Sequence, residues 1–90
     1  MIKYRPKHFE LPALSEATWD YMEKWHLIPI YEYALETKDK AYDYDDERLA
    51  IAVNGEAFGL YNAILVHMGN NEAFDERNDF YGNCKRIFAW

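Results

Sequence analysis

The sequence predicts a small, mostly α-helical single domain, and three observations carry that expectation. Apolar residues recur at steps of three and four along several segments. Capping and turn residues stand where those segments should begin and end. Half of the 90 residues are apolar and 18% are aromatic, with three Trp, eight Tyr and five Phe, which supplies one core. A chain of this length is one domain. Its aromatic content separates it from a disordered acidic tail.

Residues 1–14 contain Pro6 and Pro12 and read as an extended arm, because proline removes a backbone donor and biases its predecessor away from helix. Ser15 is then placed as an N-cap with Glu16 in the first turn, and a helix is expected over 16–26. Trp19, Met22 and His26 share its stripe. Trp25 stands six positions from Trp19, about 120° off-register, so Trp19 is expected to be the more buried of the two. Pro29 suits the first turn of a second helix, with Ile30, Tyr33, Ala34 and Thr37 at helical spacing up to Lys38-Asp39-Lys40. Tyr31, Tyr33 and Leu35 also alternate, which keeps a strand open there.

The most informative segment runs from Asp45 to Met68. Leu49, Val53, Ala57, Leu60, Ile64 and Met68 form a twenty-residue helical stripe, from which burial of Leu49, Val53, Leu60 and Ile64 is expected, and Gly69-Asn70 closes it. Against it stands Asn54-Gly55, a strong hairpin turn signal flanked by Leu49, Ile51 and Val53. A helix there must also carry Gly55 and Gly59, each costing about 1 kcal/mol relative to alanine. The longer pattern favours helix, and an α+β fold with a hairpin at 49–60 is the alternative. Asn71 then caps a last helix over 72–81, with Gly82 as its stop.

The net charge is −6 and unevenly placed. Residues 1–9 hold Lys3, Arg5 and Lys7 and no acid. From Glu10 to Glu47 eleven acids face three lysines, a net of −8 (3 − 11). Such a field disfavours direct binding to nucleic acid or anionic lipid and favours a basic protein partner. The one cysteine, Cys84, rules out an internal disulfide framework and suits a reducing cytoplasm. No apolar h-region follows the basic start. The run Leu60–Met68 is too short to span a bilayer, so no membrane insertion is expected.

Several residue patterns suggest chemistry without completing it. Asp43, Asp45 and Glu47 imitate calcium-loop ligands, but the sixth position holds Arg48 instead of glycine and the twelfth Asn54 instead of glutamate. Glu23 and His26 make one E-x-x-H pair where a di-metal bundle needs two. Cys84 has no motif that joins it to His8, His26 or His67. No cofactor, metal site or catalytic residue is therefore assigned. Gly55, Gly59 and Ala63 form a small-residue ridge that predicts a close helix–helix approach, within the domain or across a homodimer.

The most distinctive run is Tyr42-Asp43-Tyr44-Asp45-Asp46-Glu47, where tyrosines offer contact area and carboxylates offer charge. These six residues are the expected partner-binding site. In size, acidity, aromatic content and lack of motifs the chain resembles the small inhibitors that bacteriophages make against host proteins, including anti-CRISPR and DNA-mimic types. That resemblance implies carboxylates occupying a groove built for nucleic-acid phosphates. The ten basic residues depart from the longer acid runs of many mimics, so a protein–protein surface of the target stands as an expectation close behind mimicry. Two further readings are a small enzyme or ligand-binder using His and carboxylate groups, and a homo-oligomeric assembly subunit.

Overall fold

The computed structural model describes residues 14–41 and 45–88. They form four helices, α1 (Glu16–Lys24), α2 (Ile28–Ala41), α3 (Glu47–Asn70) and α4 (Phe74–Phe88), with no strand among the described residues. The all-α expectation holds, and the hairpin alternative at 49–60 is overturned. Asn54-Gly55 lies inside α3, where the apolar periodicity and tertiary packing outweigh the turn propensity of the dipeptide. The N-terminal arm and its basic residues lie outside the described residues, apart from Leu14, which is buried.

Each helix contributes one ring to a shared core. Tyr31 of α2 sits centrally, with ring centroids 6.1 Å from Trp19 of α1, 5.9 Å from Tyr61 of α3 and 5.2 Å from Phe80 of α4, all edge-on. Edge-on aromatic pairs contribute roughly 0.5–1.5 kcal/mol beyond their area. The Tyr31 hydroxyl accepts a hydrogen bond from the buried Asn83 amide at 3.1 Å. Burial pushes the phenols of both Tyr31 and Tyr61 well above their ordinary range. As expected, Trp19 is fully buried while Trp25 is 41% exposed.

The starts of α1 and α3 follow the sequence signals closely. The Ser15 hydroxyl accepts from the Thr18 backbone amide at 3.3 Å. Asp79 of α4 then ties this corner down, its Oδ2 accepting from the Ser15 amide at 2.9 Å and the Thr18 hydroxyl at 2.7 Å. The ends of α1 and α3 are built alike. Leu27 N–H donates to Met22 O at 2.7 Å and His26 N–H to Glu23 O at 3.3 Å; Ala73 N–H donates to Met68 O at 2.8 Å and Glu72 N–H to Gly69 O at 3.2 Å. This is the Schellman pattern, and it holds His26 at φ 57° and Glu72 at φ 60°, where glycine is the usual occupant.

Four expected details are corrected. The first helix stops at Lys24, because His26 takes the left-handed position beyond the cap. Asn71 is the C-cap of α3 and not the start of the next helix. Helix α4 begins at Phe74 and continues through Gly82 to Phe88, since Asn83 and Cys84 beyond the glycine are buried and hold it. The buried stripes are also rotated. In α3 the buried residues are Ala57, Tyr61, Ile64 and Met68, while Val53 and Leu60 are only half-buried and Leu49 is 50% exposed. Steps of four advance 400° each, so Leu49 and Ala57 drift 80° apart. In α2 the core face is Tyr31, Ala34 and Leu35, with Tyr33 exposed.

Candidate functional site

The acidic run falls at the junction of α2 and α3. Tyr42, Asp43 and Tyr44 lie outside the described residues. Asp45, Asp46 and Glu47 are all exposed. Asp46 is the N-cap of α3, its Oδ1 accepting from the Arg48 backbone amide at 2.9 Å, and Glu47 opens the first turn. Carboxylates are favoured there by the unpaired amides and the helix dipole, so this segment has a structural reason to be acidic as well as a recognition one.

Beside these carboxylates runs a shallow groove of about 200 Å³ lined by Lys38, Ala41, Glu47, Ala50, Ile51 and Asn54. Lys38 is buried and its Nζ donates to Asn54 Oδ1 at 2.7 Å. Ile51 is 65% exposed at the groove edge. The volume falls below the ~300–1,000 Å³ of small-molecule pockets, and suits a side chain from a partner better than a free ligand. A second open groove, about 380 Å³, runs between α3 and α4 past Asn62, Leu65, Val66, Arg77, Asn78 and Tyr81.

The other sequence candidates are not assembled into sites. The calcium-loop reading fails because Glu47 to Asn54 are helical, so the second half of the would-be loop cannot wrap an ion. The Glu23/His26 pair is broken up, since His26 has left the helix before reaching the face that Glu23 occupies. Cys84 is fully buried, and burial pushes its thiol above its ordinary range, the opposite of an activated nucleophile. His67 is half-buried beneath Tyr21 and Trp25. The Tyr21 hydroxyl and His67 Nδ1 are hydrogen-bonded at 2.9 Å, and the Trp25 ring centroid lies 5.0 Å from the imidazole. This cluster fastens α1 to the end of α3. Among the described residues no group of three or more His, Cys, Asp or Glu side chains is placed to hold a metal ion.

Sequence reasoning did not find the outer face of α3. Gly55, Gly59 and Ala63 do not meet another helix of the domain; they are exposed, and a Cβ at either glycine would meet nothing within 4 Å. Ile51, Val66 and Leu49 are also exposed on this helix, at 65%, 52% and 50%. The 24-residue α3 is long and apolar enough, by length and composition, to cross a membrane. The apolar run Leu60–Met68 alone had understated this, because the segment before it holds a single charge between Leu49 and Leu60, at Glu56. The signal was available: the outward positions 52, 55, 59, 62 and 66 recur at steps of three and four and contain no charged residue.

The fold therefore defines a small all-α domain with an acidic helix entry and an apolar outer helix face. Comparison with protein families, characterised proteins and solved structures finds no match to this chain.

Proposed function

We propose that this chain is a non-enzymatic protein-interaction module whose acidic segment, Tyr42 to Glu47, binds a basic surface of another protein in the cytoplasm. The observation that carries this reading is the exposure of Asp45, Asp46 and Glu47 beside the uncovered Leu49 and the shallow groove that Glu47 lines. Carboxylates set encounter and orientation over a Debye length of about 8 Å, while adjacent apolar surface supplies the contact that slows dissociation. A target surface built for nucleic-acid phosphates meets both requirements. Occupying it would inhibit the target, as the phage anti-defence proteins do.

The test is affinity capture by tagged chain from its host cells, followed by association kinetics with the captured protein at two salt concentrations. Reversal of Asp43 and Asp45 to Lys should slow association at low salt and leave the melting temperature nearly unchanged, whereas Asp46→Lys should slow it too but lower the melting temperature through loss of the α3 N-cap. Tyr44→Ala should act mainly on dissociation. A DNA duplex that displaces the chain from its partner marks nucleic-acid mimicry; no displacement marks another surface of the target. Binding indifferent to salt and to all three reversals removes the acidic segment from the mechanism.

A further inference from the structure

We propose that a second copy of this chain packs antiparallel on the outer face of α3, with Ile51 of each copy seated in the α3–α4 groove of the other. The face needs a cover: Ile51 and Val66 are more than half exposed on a helix apolar enough for a bilayer. Lipid is a poor cover, because α2, packed along the same helix, carries Glu36, Asp39 and Lys40 exposed at its side. Placing α3 in hydrocarbon would bring those charges with it. A second copy meets the geometry better.

Positions 52, 55, 59, 62 and 66 make a 3-4-3-4 seam, the spacing by which two helices interlock, and Ala52, Gly55 and Gly59 let their axes come close. The midpoint of Ala52 and Val66 is Gly59. A two-fold axis there sets residue 51 of one copy level with residue 67 of the other. Ile51 and Gly69 are 18 residues, five full turns, apart and so lie on the same side of α3. That side is where α4 runs, since Arg77 Nη1 stands 2.7 Å from where a Gly69 Cβ would be. Antiparallel pairing preserves sides, so each Ile51 arrives at the groove lined by Asn62, Val66 and Tyr81. It arrives twice, as an isologous contact requires.

Charge agrees with the same arrangement. Glu47 of one copy falls level with the α3 end of the other, beside Arg77, whose guanidinium lies 5.4 Å over the Phe74 ring. The two α3 starts stand about 36 Å apart, more than four Debye lengths, whereas a parallel pair would place them together. The pair would thus present one acidic segment at each end. One helix face and its groove form an interface at the small end of the range, so association should be weak, in the micromolar range.

Sedimentation of the full chain between about 5 and 500 µM, in reducing buffer, tests this. The mass should rise toward twice the monomer with concentration. Gly59→Leu, whose Cβ would meet nothing within 4 Å in the monomer, should keep the fold and lose the dimer. Glu47→Arg and Arg77→Glu should each weaken association about tenfold alone and recover it when the two variants are mixed, because only the mixed pair restores both opposite-charge contacts. A monomer at 500 µM, a dimer that survives Gly59→Leu, or no recovery on mixing overturns the proposal. Binding of the monomer to neutral phosphatidylcholine vesicles, lost in Ile51→Asp, overturns it in favour of lipid. None of these readouts uses the Asp43/Asp45/Asp46 reversals, so this proposal and the partner-binding one fail separately.

Discussion

Replacing Gly55 and Gly59 by alanine should make the domain substantially more stable. Both positions are inside α3, neither has a positive φ, and a Cβ at either meets nothing within 4 Å. The helix therefore bears the entropic cost of glycine with no packing benefit inside the chain. Glycine is less favourable than alanine in a helix interior by about 0.8–1.0 kcal/mol, so the double variant should gain roughly 1.5–2 kcal/mol. For a domain of this size 1 kcal/mol shifts the melting temperature by about 4–8 °C, giving a rise of roughly 6–16 °C for the pair. Circular dichroism melts at sub-micromolar concentration, below the range expected for self-association, are the assay. Gly69→Ala is the internal comparison: its methyl would stand 2.7 Å from Arg77 Nη1, so the guanidinium must swing aside and the gain should be smaller. An unchanged or lower melting temperature in the double variant would mean that residues 54–59 are not a continuous open helix. The hairpin would then return as the better description of that segment.

Two further perturbations probe the core and the corners. Trp19→Ala removes a fully buried ring that touches Tyr31, and should cost about 3–5 kcal/mol; a melt within a few degrees of the parent would show that the α1 register is wrong. Glu72→Gly should shift the urea midpoint upward with an unchanged slope, since relief of about 1–2 kcal/mol of left-handed strain exceeds the added unfolded-state entropy; Glu72→Val, with a branched Cβ at φ 60°, should shift it down, and equal midpoints for the two would refute the Schellman assignment.

The existence and order of the helices were legible because their caps are local. Ser15 and the acidic entry at Asp46 each satisfy amides within three residues, so a short window of sequence contains the whole interaction. The faces were less legible, and tyrosine is the reason. Tyr31 and Tyr61 form the core while Tyr33 lies in solvent, and only the packing of the other helices distinguishes them. Lys38 misleads in the opposite direction, buried because Asn54 on the facing helix receives its ammonium. The acidic entry could be read as a surface from its composition, and Asp45 to Glu47 are exposed. The E-x-x-H spacing could not reveal that His26 leaves the helix, because the left-handed turn is set by Leu27 reaching back to Met22. The small-residue ridge was visible, but its direction was not; that depends on which sides α2 and α4 choose.

The ring quartet also governs when this chain can fold as it is synthesised. Tyr31 meets Trp19 twelve residues earlier, but its enclosure is completed by Tyr61 and then by Phe80, 49 residues later. Neither α1 with α2 nor the first three helices together can enclose that ring. Each extra span of chain adds only a slowly growing closure cost, so the delay lies in waiting for the missing ring and not in the search for it. The sides of Tyr31 and Tyr61 that Phe80 covers thus stay open in a growing polypeptide until α4 has emerged.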